Sequence, residues 1–497
     1  MEFLTEHQKY IAILKEELVP AMGCTEPISL AYAAAVARYT LGCLPEEAEI
    51  TVSGNIIKNV KSVIVPHTGG LRGIAAAVAA GFVAGDETRH LEVLSRVTDE
   101  QVAEIAAYLE KDPITVVQSR SGRLFEIIVT AKGNGHTVQV EITDGHTQVS
   151  RIEKDGGELF AQEEVFAEAE RTDRSFMTVE GIVKFADETD LEEVIPVLSR
   201  QIACNTAIAM EGLTGKYGAA VGKVLLDTYG DNVHTRAKAW AAAGSDARMS
   251  GCELPVVINS GSGNQGLTAS LPVIAYAKEL KVSQEKLYRA LLVSNLVTIH
   301  LKTGIGCLSA YCGAISAGCG AGAGVTYLYG GDFKAVAHTV VNAIAINSGV
   351  VCDGAKASCA AKIASSVEAG LLGMYMYKNG REFFGGDGLV TKGVERTIEN
   401  VSALARDGMK ETDKEIINMI KEVGIEFAEL EGWDQELYER MVSDVLKAET
   451  VVRRRYTGDA NLASELYSLP PASSLPIVDA KQNAWITKYN SLYANAG

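Results

Sequence analysis

The chain has 497 residues, of which 47% are apolar and 22% charged, and its 63 acidic against 46 basic residues give a formal net charge of −17. This composition supplies enough apolar material for about two to four packed domains and predicts a globular protein. The negative charge opposes the neutralisation of phosphates on which nucleic-acid affinity depends, so we exclude nucleic acid as a partner.

The first 20 residues combine charged and apolar residues at helical spacing and lack a basic segment leading into an apolar core. They do not resemble a signal peptide, so we expect a cytoplasmic protein in which the nine cysteines stay reduced. Residues 303–331 carry no charge but include nine glycines. So many small residues predict close helix packing or a close approach to a cofactor, and we expect no membrane span.

Hydrophobic periodicity predicts a mainly α fold with an inserted α/β (α+β) domain. Two helices are predicted in residues 5–42, with a break at 20–27, and β-branched runs interleaved with two helices follow from about residue 48. Gly-Asn-Gly at 133–135 predicts a hairpin turn. The predicted domains are N-terminal helices in 1–45 that belong to the helical catalytic domain, the inserted domain in 46–190, the all-helical catalytic domain in 191–425 and a C-terminal helical appendage in 426–497.

Three cysteines are candidate metal ligands: Cys312, Cys352 and Cys359. If a helix begins at Asp353, Cys352 lies at its N-terminus, where the thiolate needed for metal binding is favoured. The alternative is that these thiols are small buried hydrophobic residues. The polar residues between Cys352 and Cys359 favour the metal interpretation, whereas Cys307 and Cys319 are interpreted as core residues or neighbours of the site.

A fourth thiol, Cys24, precedes a helix predicted to begin near Glu26, with Thr25 as its N-cap. We expect a lowered pKa there, which suits a nucleophile, a base or a ligand. An equally weighted alternative is a cysteine of the capping loop without a chemical role.

Two polar loops are candidate binding sites for an anionic group such as a carboxylate. Neither has the spacing of a nucleotide-binding motif. The candidate residues are Asn259, Ser260, Ser262, Asn264 and Gln265 in one loop, and Ser53, Asn55, Asn59 and Thr68 in the other.

Seven motifs follow one another between about residues 8 and 424. They are GCTEPISLA (23–31), SGNIIKN (53–59), SDARMSG (245–251), NSGSGNQG (259–266), SAYC (309–312), CDGAKASCAAK (352–362) and ETDKEII (411–417). In this order they resemble the L-cysteine desulfidase family, whose relatives are the iron-sulphur-dependent bacterial L-serine dehydratases.

The resemblance implies a 4Fe-4S cluster bound by Cys312, Cys352 and Cys359, with Cys24 as catalytic base or fourth cluster contact. Three thiolates leave one iron open to a substrate group. The resemblance therefore implies elimination from L-cysteine, without pyridoxal phosphate, to give pyruvate, ammonia and sulphide. Both polar loops would hold the substrate carboxylate.

Two alternatives stay open at this point. L-Serine could be the substrate on the same cluster, with a hydroxyl in place of the thiol. The chain could instead be a non-catalytic iron-sulphur or zinc protein whose cysteines are structural or redox-active. The expected partner is a small amino acid, and the sequence leaves a homo-oligomer such as a dimer open.

Overall fold

Helices precede and follow a six-stranded sheet along the chain, which confirms the predicted mainly α fold with an inserted α/β segment. The computed structural model describes residues 4–161, 172–306, 308–386 and 388–428. Residues Met1–Lys421 form one compact unit. Cys307 and, from residue 429 onward, the predicted appendage lie outside the described residues.

The N-terminal segment contains the two predicted helices, and their break includes a three-residue strand. Thr5 begins the first helix with a capping box, because its hydroxyl and the Gln8 side chain satisfy each other's backbone N–H groups. The second helix ends at Gly42, whose positive φ suits a helix C-terminus. These elements are α1 (Glu6–Glu17), β1 (Pro20–Met22) and α2 (Thr25–Leu41).

The sheet has the order β3-β2-β4-β5-β6-β7, with β2 and β3 parallel and the other pairs antiparallel. The predicted hairpin turn is confirmed, since Asn134 and Gly135 both have positive φ and join β4 to β5. The strands are β2 (Glu47–Val52), β3 (Ile114–Gln118), β4 (Glu126–Gly133), β5 (His136–Thr143), β6 (Val149–Lys154) and β7 (Gly157–Ala161).

Two sequence predictions in this region are wrong. Residues 62–66 form no strand, because the Val65 N–H donates to the Leu71 carbonyl and closes a tight loop. The polar loop after β2 is in part a helix, α3 (Gly54–Val60), which begins after Ser53. The predicted helices that follow are confirmed as α4 (Gly73–Ala84) and α5 (Asp99–Leu109).

The remaining described elements are helical except for one short strand. α12 is central among them, since it packs against α10, α11 and α14. The elements are α6 (Val179–Glu188), α7 (Ile195–Gly212), α8 (Val221–Tyr229), α9 (Val233–Met249), β8 (Pro255–Val257), α10 (Gly263–Leu280), α11 (Gln284–Ile305), α12 (Gly313–Leu328), α13 (Phe333–Asn347), α14 (Cys359–Lys378), α15 (Val394–Ala403) and α16 (Lys410–Ala428).

The glycine-rich run packs closely as α12. A Cβ on Gly318 or Gly322 would collide with the α14 backbone, at the carbonyls of Ser366 and Gly370, and one on Gly320 would collide with α11. Small residues let these helix backbones approach one another, which confirms the packing prediction. Among the described residues, no helix is both long and apolar enough to cross a bilayer.

The short strand β1 pairs antiparallel with β8, with Ala21 opposite Val256. This pairing brings the start of α2 to the loop that precedes α10, where the Thr25 hydroxyl donates to the Gly261 carbonyl at 3.0 Å. α2 also packs on α4 and on strands β4 and β5. The predicted domain boundaries at 45/46 and 190/191 stay predictions.

Candidate functional site

Four helices, α2, α10, α12 and α14, begin at one cavity of about 110 Å³. Because the N-terminus of a helix carries partial positive charge, their convergence favours anionic groups in the cavity. The wall includes a set of thiols and a set of polar and charged side chains: Cys24, Cys312, Cys352 and Cys359, with Glu26, Lys58, Asn59, Arg248, Ser262, Asn264, Gln265, Lys302, Ser309 and Tyr311.

Backbone pairing places Cys312 beside Cys352. Tyr311 and Val351 form an antiparallel bridge. The Cys312 N–H donates to the Val350 carbonyl at 3.1 Å, and the Cys352 N–H donates to the Ala310 carbonyl at 2.6 Å. After 39 intervening residues the chain therefore returns to the same point, at the N-cap of α12.

The predicted helix start at Asp353 is wrong, since α14 begins at Cys359 after a non-helical loop. Gly354 has a φ of +98°, and a Cβ there would collide with the Lys58 carbonyl, so the loop needs glycine to lie against α3. The Lys362 ammonium donates to the Val351 carbonyl at 3.0 Å and to the Asp353 carboxylate. These contacts fasten the loop between Cys352 and Cys359 to the body of α14.

The three thiols lie in one another's electrostatic field. Burial and, to a smaller extent, the charge of the nearby Cys352 raise the pKa of Cys312 to about 12. Burial also raises the pKa of Cys359, while the charges of Lys362 and Arg248 oppose this. Two basic groups thus face thiols that become negative when they ligate a metal.

Within the described ranges, no three His, Cys, Asp or Glu side chains cluster tightly enough for one metal ion. The three cysteines nevertheless line one cavity. A four-iron cluster spaces its thiolates farther apart than a single ion does, because each thiolate binds a different iron. The donor set of three soft thiols beside basic groups fits an iron-sulphur cluster.

Cys24 is itself the N-cap of α2, so the prediction that Thr25 would be the cap is wrong. The Cys24 thiol donates to Glu26 Oε2 at 3.0 Å. Burial raises the pKa of this thiol well above its usual value, the Glu26 charge raises it further, and Arg248 opposes the rise. The predicted lowering of the pKa is therefore wrong, because burial outweighs the helix terminus.

Glu26 is buried and anionic. Its Oε1 accepts a hydrogen bond from Asn59 Nδ2 at 2.9 Å, and its Oε2 accepts from Cys24 and Thr25. Burial raises the pKa of this carboxyl, but the charge of His146, the Cys24 hydrogen bond and Arg248 together leave it below its usual value. A carboxylate thus lies in contact with a protonated thiol.

Four of the nine predicted binding residues line the cavity: Asn59, Ser262, Asn264 and Gln265. The other five make hydrogen bonds that stabilise the surrounding loops and helices. Ser53 donates to the Leu124 carbonyl, Asn55 to Asp413, Thr68 to the Val65 carbonyl, Asn259 to Asn295 and Ser260 to Asn259. Direct substrate contact by any of the nine stays a prediction.

Lys58 reaches the cavity from α3 and pairs with Asp413 of α16 at 2.5 Å, with both side chains buried. Asn55 donates to the other oxygen of Asp413 at 2.9 Å. The ETDKEII motif therefore anchors the SGNIIKN motif. Because its charge is matched by Asp413, Lys58 adds little net charge to the wall.

Sequence reasoning did not single out Glu26 or Arg248 as members of the site, although both lie within motifs it had identified. The signal that could have identified them is a charged residue inside the motif GCTEP or SDARMSG. Charged groups are seldom buried unless they have a partner or a function. Asp413, which supports the site through Lys58, was also missed.

Comparison with known proteins identifies the family of the chain. The family model for the serine dehydratase alpha chain matches residues 88–418. The chain is 57% identical to a UPF0597 protein of Desulfitobacterium hafniense over 83% of this chain and 96% of that protein. It is 50% identical to a UPF0597 protein of Lachnoclostridium phytofermentans over 83% of this chain and 99% of that one. The chain belongs to the serine dehydratase alpha chain family.

Proposed function

We propose that the chain is an iron-sulphur-dependent lyase that eliminates the β-substituent of L-cysteine to give pyruvate, ammonia and sulphide. One observation carries the proposal: Cys24, Cys312, Cys352 and Cys359 come from three distant parts of the sequence and line one cavity. The family membership supports a lyase of the serine dehydratase type.

Cys312, Cys352 and Cys359 would hold a 4Fe-4S cluster. When bound through three thiolates, such a cluster supplies an open iron that acts as a Lewis acid for the leaving substituent. The Lys362 ammonium and the N-termini of α12 and α14 would offset the negative charge of the thiolates.

Cys24 and Glu26 would transfer the proton. Cys24 would pass its thiol proton to Glu26, to which it is hydrogen-bonded, and the thiolate would take the proton from Cα of the substrate. The first transfer runs against the resting pKa values of the two groups, so it would take place together with substrate binding. The electron pair of the Cα–H bond forms the Cα–Cβ double bond, and the β-substituent leaves with its own bonding pair. The aminoacrylate product takes up water and releases ammonia and pyruvate without further catalysis.

The start of α10 would bind the substrate carboxylate. No side chain caps this helix, so its first N–H groups lack partners within the helix. Ser262, Asn264 and Gln265 at this end line the cavity. The N–H groups at the start of α10 and the Ser262 hydroxyl would stabilise the negative charge that develops on the carboxylate as the Cα proton departs.

L-Serine is the second candidate substrate, and the description of the matched family favours it. The two substrates differ in the leaving atom, since iron binds a soft thiolate sulphur more readily than a hydroxyl. A reducing compartment would suit both reactions, and the eight described cysteines that can be assessed are all free. We therefore also propose a cytoplasmic location.

The test is anaerobic purification followed by iron and sulphide analysis and by assays of sulphide release from L-cysteine and pyruvate formation from L-serine. We expect about four irons per chain and a larger kcat/KM for L-cysteine. A larger kcat/KM for L-serine would overturn the substrate, and a colourless protein with stoichiometric zinc would overturn the cluster.

Variants locate the cluster within the chain. Cys312→Ala, Cys352→Ala and Cys359→Ala should each lose iron and visible absorption. Cys319→Ala is the matched control, because Cys319 is a buried thiol of α12 that does not line the cavity. If the control loses as much iron as the three variants, the ligand assignment is wrong.

A further inference from the structure

Arg248 lies across the start of α10. Its side chain is buried, with 2% exposed, and it reaches the cavity from the end of α9. The path of the guanidinium depends on Gly263, the first residue of α10, because a Cβ at that position would collide with Nε and Cζ of Arg248. Glycine at this point therefore makes the space in which the guanidinium lies.

The Arg248 guanidinium is not fully paired. Its Nε is buried and has no hydrogen-bond partner among the residues that the structure describes. A buried cation whose donors lack acceptors costs several kcal/mol unless an anion completes the site. Together with the uncapped N–H groups of α10, Arg248 forms a binding site for an anion on the cavity wall.

Two hydrogen-bond acceptors lie next to these donors. Gln265 Oε1 and Asn264 Oδ1 are buried and lack partners within the described part of the chain, and both side chains line the cavity. Asn264 is held in place by a contact of its Nδ2 with Met249 Sδ at 3.6 Å. Unpaired acceptors beside a guanidinium whose Nε lacks a partner indicate a ligand that carries both an anionic group and a hydrogen-bond donor.

We propose that Arg248 is a specificity-determining residue of this cavity, which binds the carboxylate of an α-amino acid whose ammonium group is bound by Asn264 and Gln265. Arg248 and the first N–H groups of α10 bind the carboxylate, and the amide oxygens of Asn264 and Gln265 accept hydrogen bonds from the α-ammonium. The inference rests on the proposed function for one point only, which is that the β-carbon then faces the thiols. In this arrangement Arg248 favours ligands that carry a carboxylate.

Other classes of substrate fit less well. A hydroxy acid or a simple carboxylate offers fewer donors and leaves an acceptor of Asn264 or Gln265 unpaired, which weakens its binding. Lys58 is not available to bind a second carboxylate on the ligand, because it already pairs with Asp413.

The experiment measures binding of three small probes to the purified holoprotein by calorimetry. L-Alanine carries both groups and has no leaving β-substituent, propionate lacks the ammonium, and ethylamine lacks the carboxylate. We expect L-alanine to bind at least about tenfold more tightly than either fragment, since each lost charged hydrogen bond is worth 1.5 kcal/mol or more. Propionate that binds as tightly as L-alanine would overturn recognition of the ammonium.

Variants assign the carboxylate contact. Arg248→Met should weaken L-alanine binding at least about tenfold and raise KM, with Arg248→Lys intermediate. Gly263→Ala should have a similar effect because it displaces the guanidinium, and it decides the question if Arg248→Met does not fold. Arg236→Met is the control on the same helix, since Arg236 pairs with Asp231 and Glu279 away from the cavity. Unchanged L-alanine affinity in both Arg248→Met and Gly263→Ala would overturn the proposal.

The outcomes separate this inference from the proposed function. If L-alanine binding depends on Arg248 while neither L-cysteine nor L-serine is converted, the amino-acid site stands and the lyase assignment falls. If conversion proceeds with an unchanged KM in Arg248→Met, the lyase assignment stands and the role of Arg248 falls.

Discussion

Cys24 Sγ lies 3.0 Å from Glu26 Oε2, with both residues buried at the start of α2. The thiol holds the proton at rest because burial raises its pKa, while Glu26 keeps a pKa below its usual value despite its burial. The Glu26 carboxylate therefore lies next to Cys24, the proposed base, as a group that can accept the thiol proton. This relationship gives the first prediction.

Glu26→Gln should lower kcat by about 10²- to 10⁴-fold, because a neutral amide cannot take the Cys24 proton. Iron content should not change, since no cluster ligand is altered. Thr25→Val is the matched control, because it removes a neighbouring hydrogen bond to Glu26 without removing the charge. Full turnover in Glu26→Gln or in Cys24→Ala would show that this pair does not carry the proton.

Gly354→Ala should destabilise the protein and weaken retention of iron, since the new Cβ collides with the Lys58 carbonyl and the residue has positive φ. Gly380→Ala is the control, because Gly380 also has positive φ but has open space around it. We expect a loss of about 1 kcal/mol in the control and a clearly larger loss in Gly354→Ala, measured by urea unfolding. Equal losses would mean that contact with α3 does not matter.

Lys362→Met should speed the loss of iron during anaerobic gel filtration. The Lys362 ammonium bonds the Val351 carbonyl and Asp353 on the loop between the two cysteines, and it lies in the field of Cys312 and Cys359. Lys356→Met is the control, because Lys356 pairs with Asp353 at 3.3 Å without the bond that Lys362 makes to the Val351 carbonyl. The prediction fails if both variants keep iron as long as the unaltered protein does.

Asp246→Asn should alter the pH dependence of stability. Burial raises the pKa of Asp246 to about 6, although the carboxylate accepts a hydrogen bond from the Gly222 N–H at the start of α8. Because the pKa of this carboxyl is higher in the folded than in the unfolded protein, the free energy of unfolding falls as pH rises from about 4 to 6. The full loss corresponds to roughly 3 kcal/mol. The asparagine side chain does not titrate, so the variant does not lose stability in this way.

Urea unfolding at pH 4.5 and at pH 7 checks this prediction. The unfolding free energy of the variant minus that of the unaltered protein should become more positive as pH rises between these values. A difference that does not depend on pH would show that Asp246 keeps an ordinary pKa in the folded protein.

The sequence by itself determined the local elements and the membership of the site in broad terms. Helical periodicity, β-branched runs and the Asn134-Gly135 turn act over a few residues, so their conformations could be predicted without the rest of the chain. The close packing of α12 could also be predicted, because it follows from the small residues of its own sequence. The short segments after β2 were mispredicted. Residues 54–60 form a helix that lies against Ile417 of α16 at Gly54, and residues 62–66 turn back onto residues 71 and 72.

Only the tertiary structure decided which residues meet and how they are charged. The β1–β8 pairing joins segments more than 230 residues apart and brings Cys24 to the start of α10. The bridge between Tyr311 and Val351 does the same for two thiols. Burial then reversed the predicted direction of the Cys24 pKa shift and left Arg248 with an unpaired Nε. Local sequence could predict neither result, because desolvation depends on everything that surrounds a group and not on its neighbours in the chain.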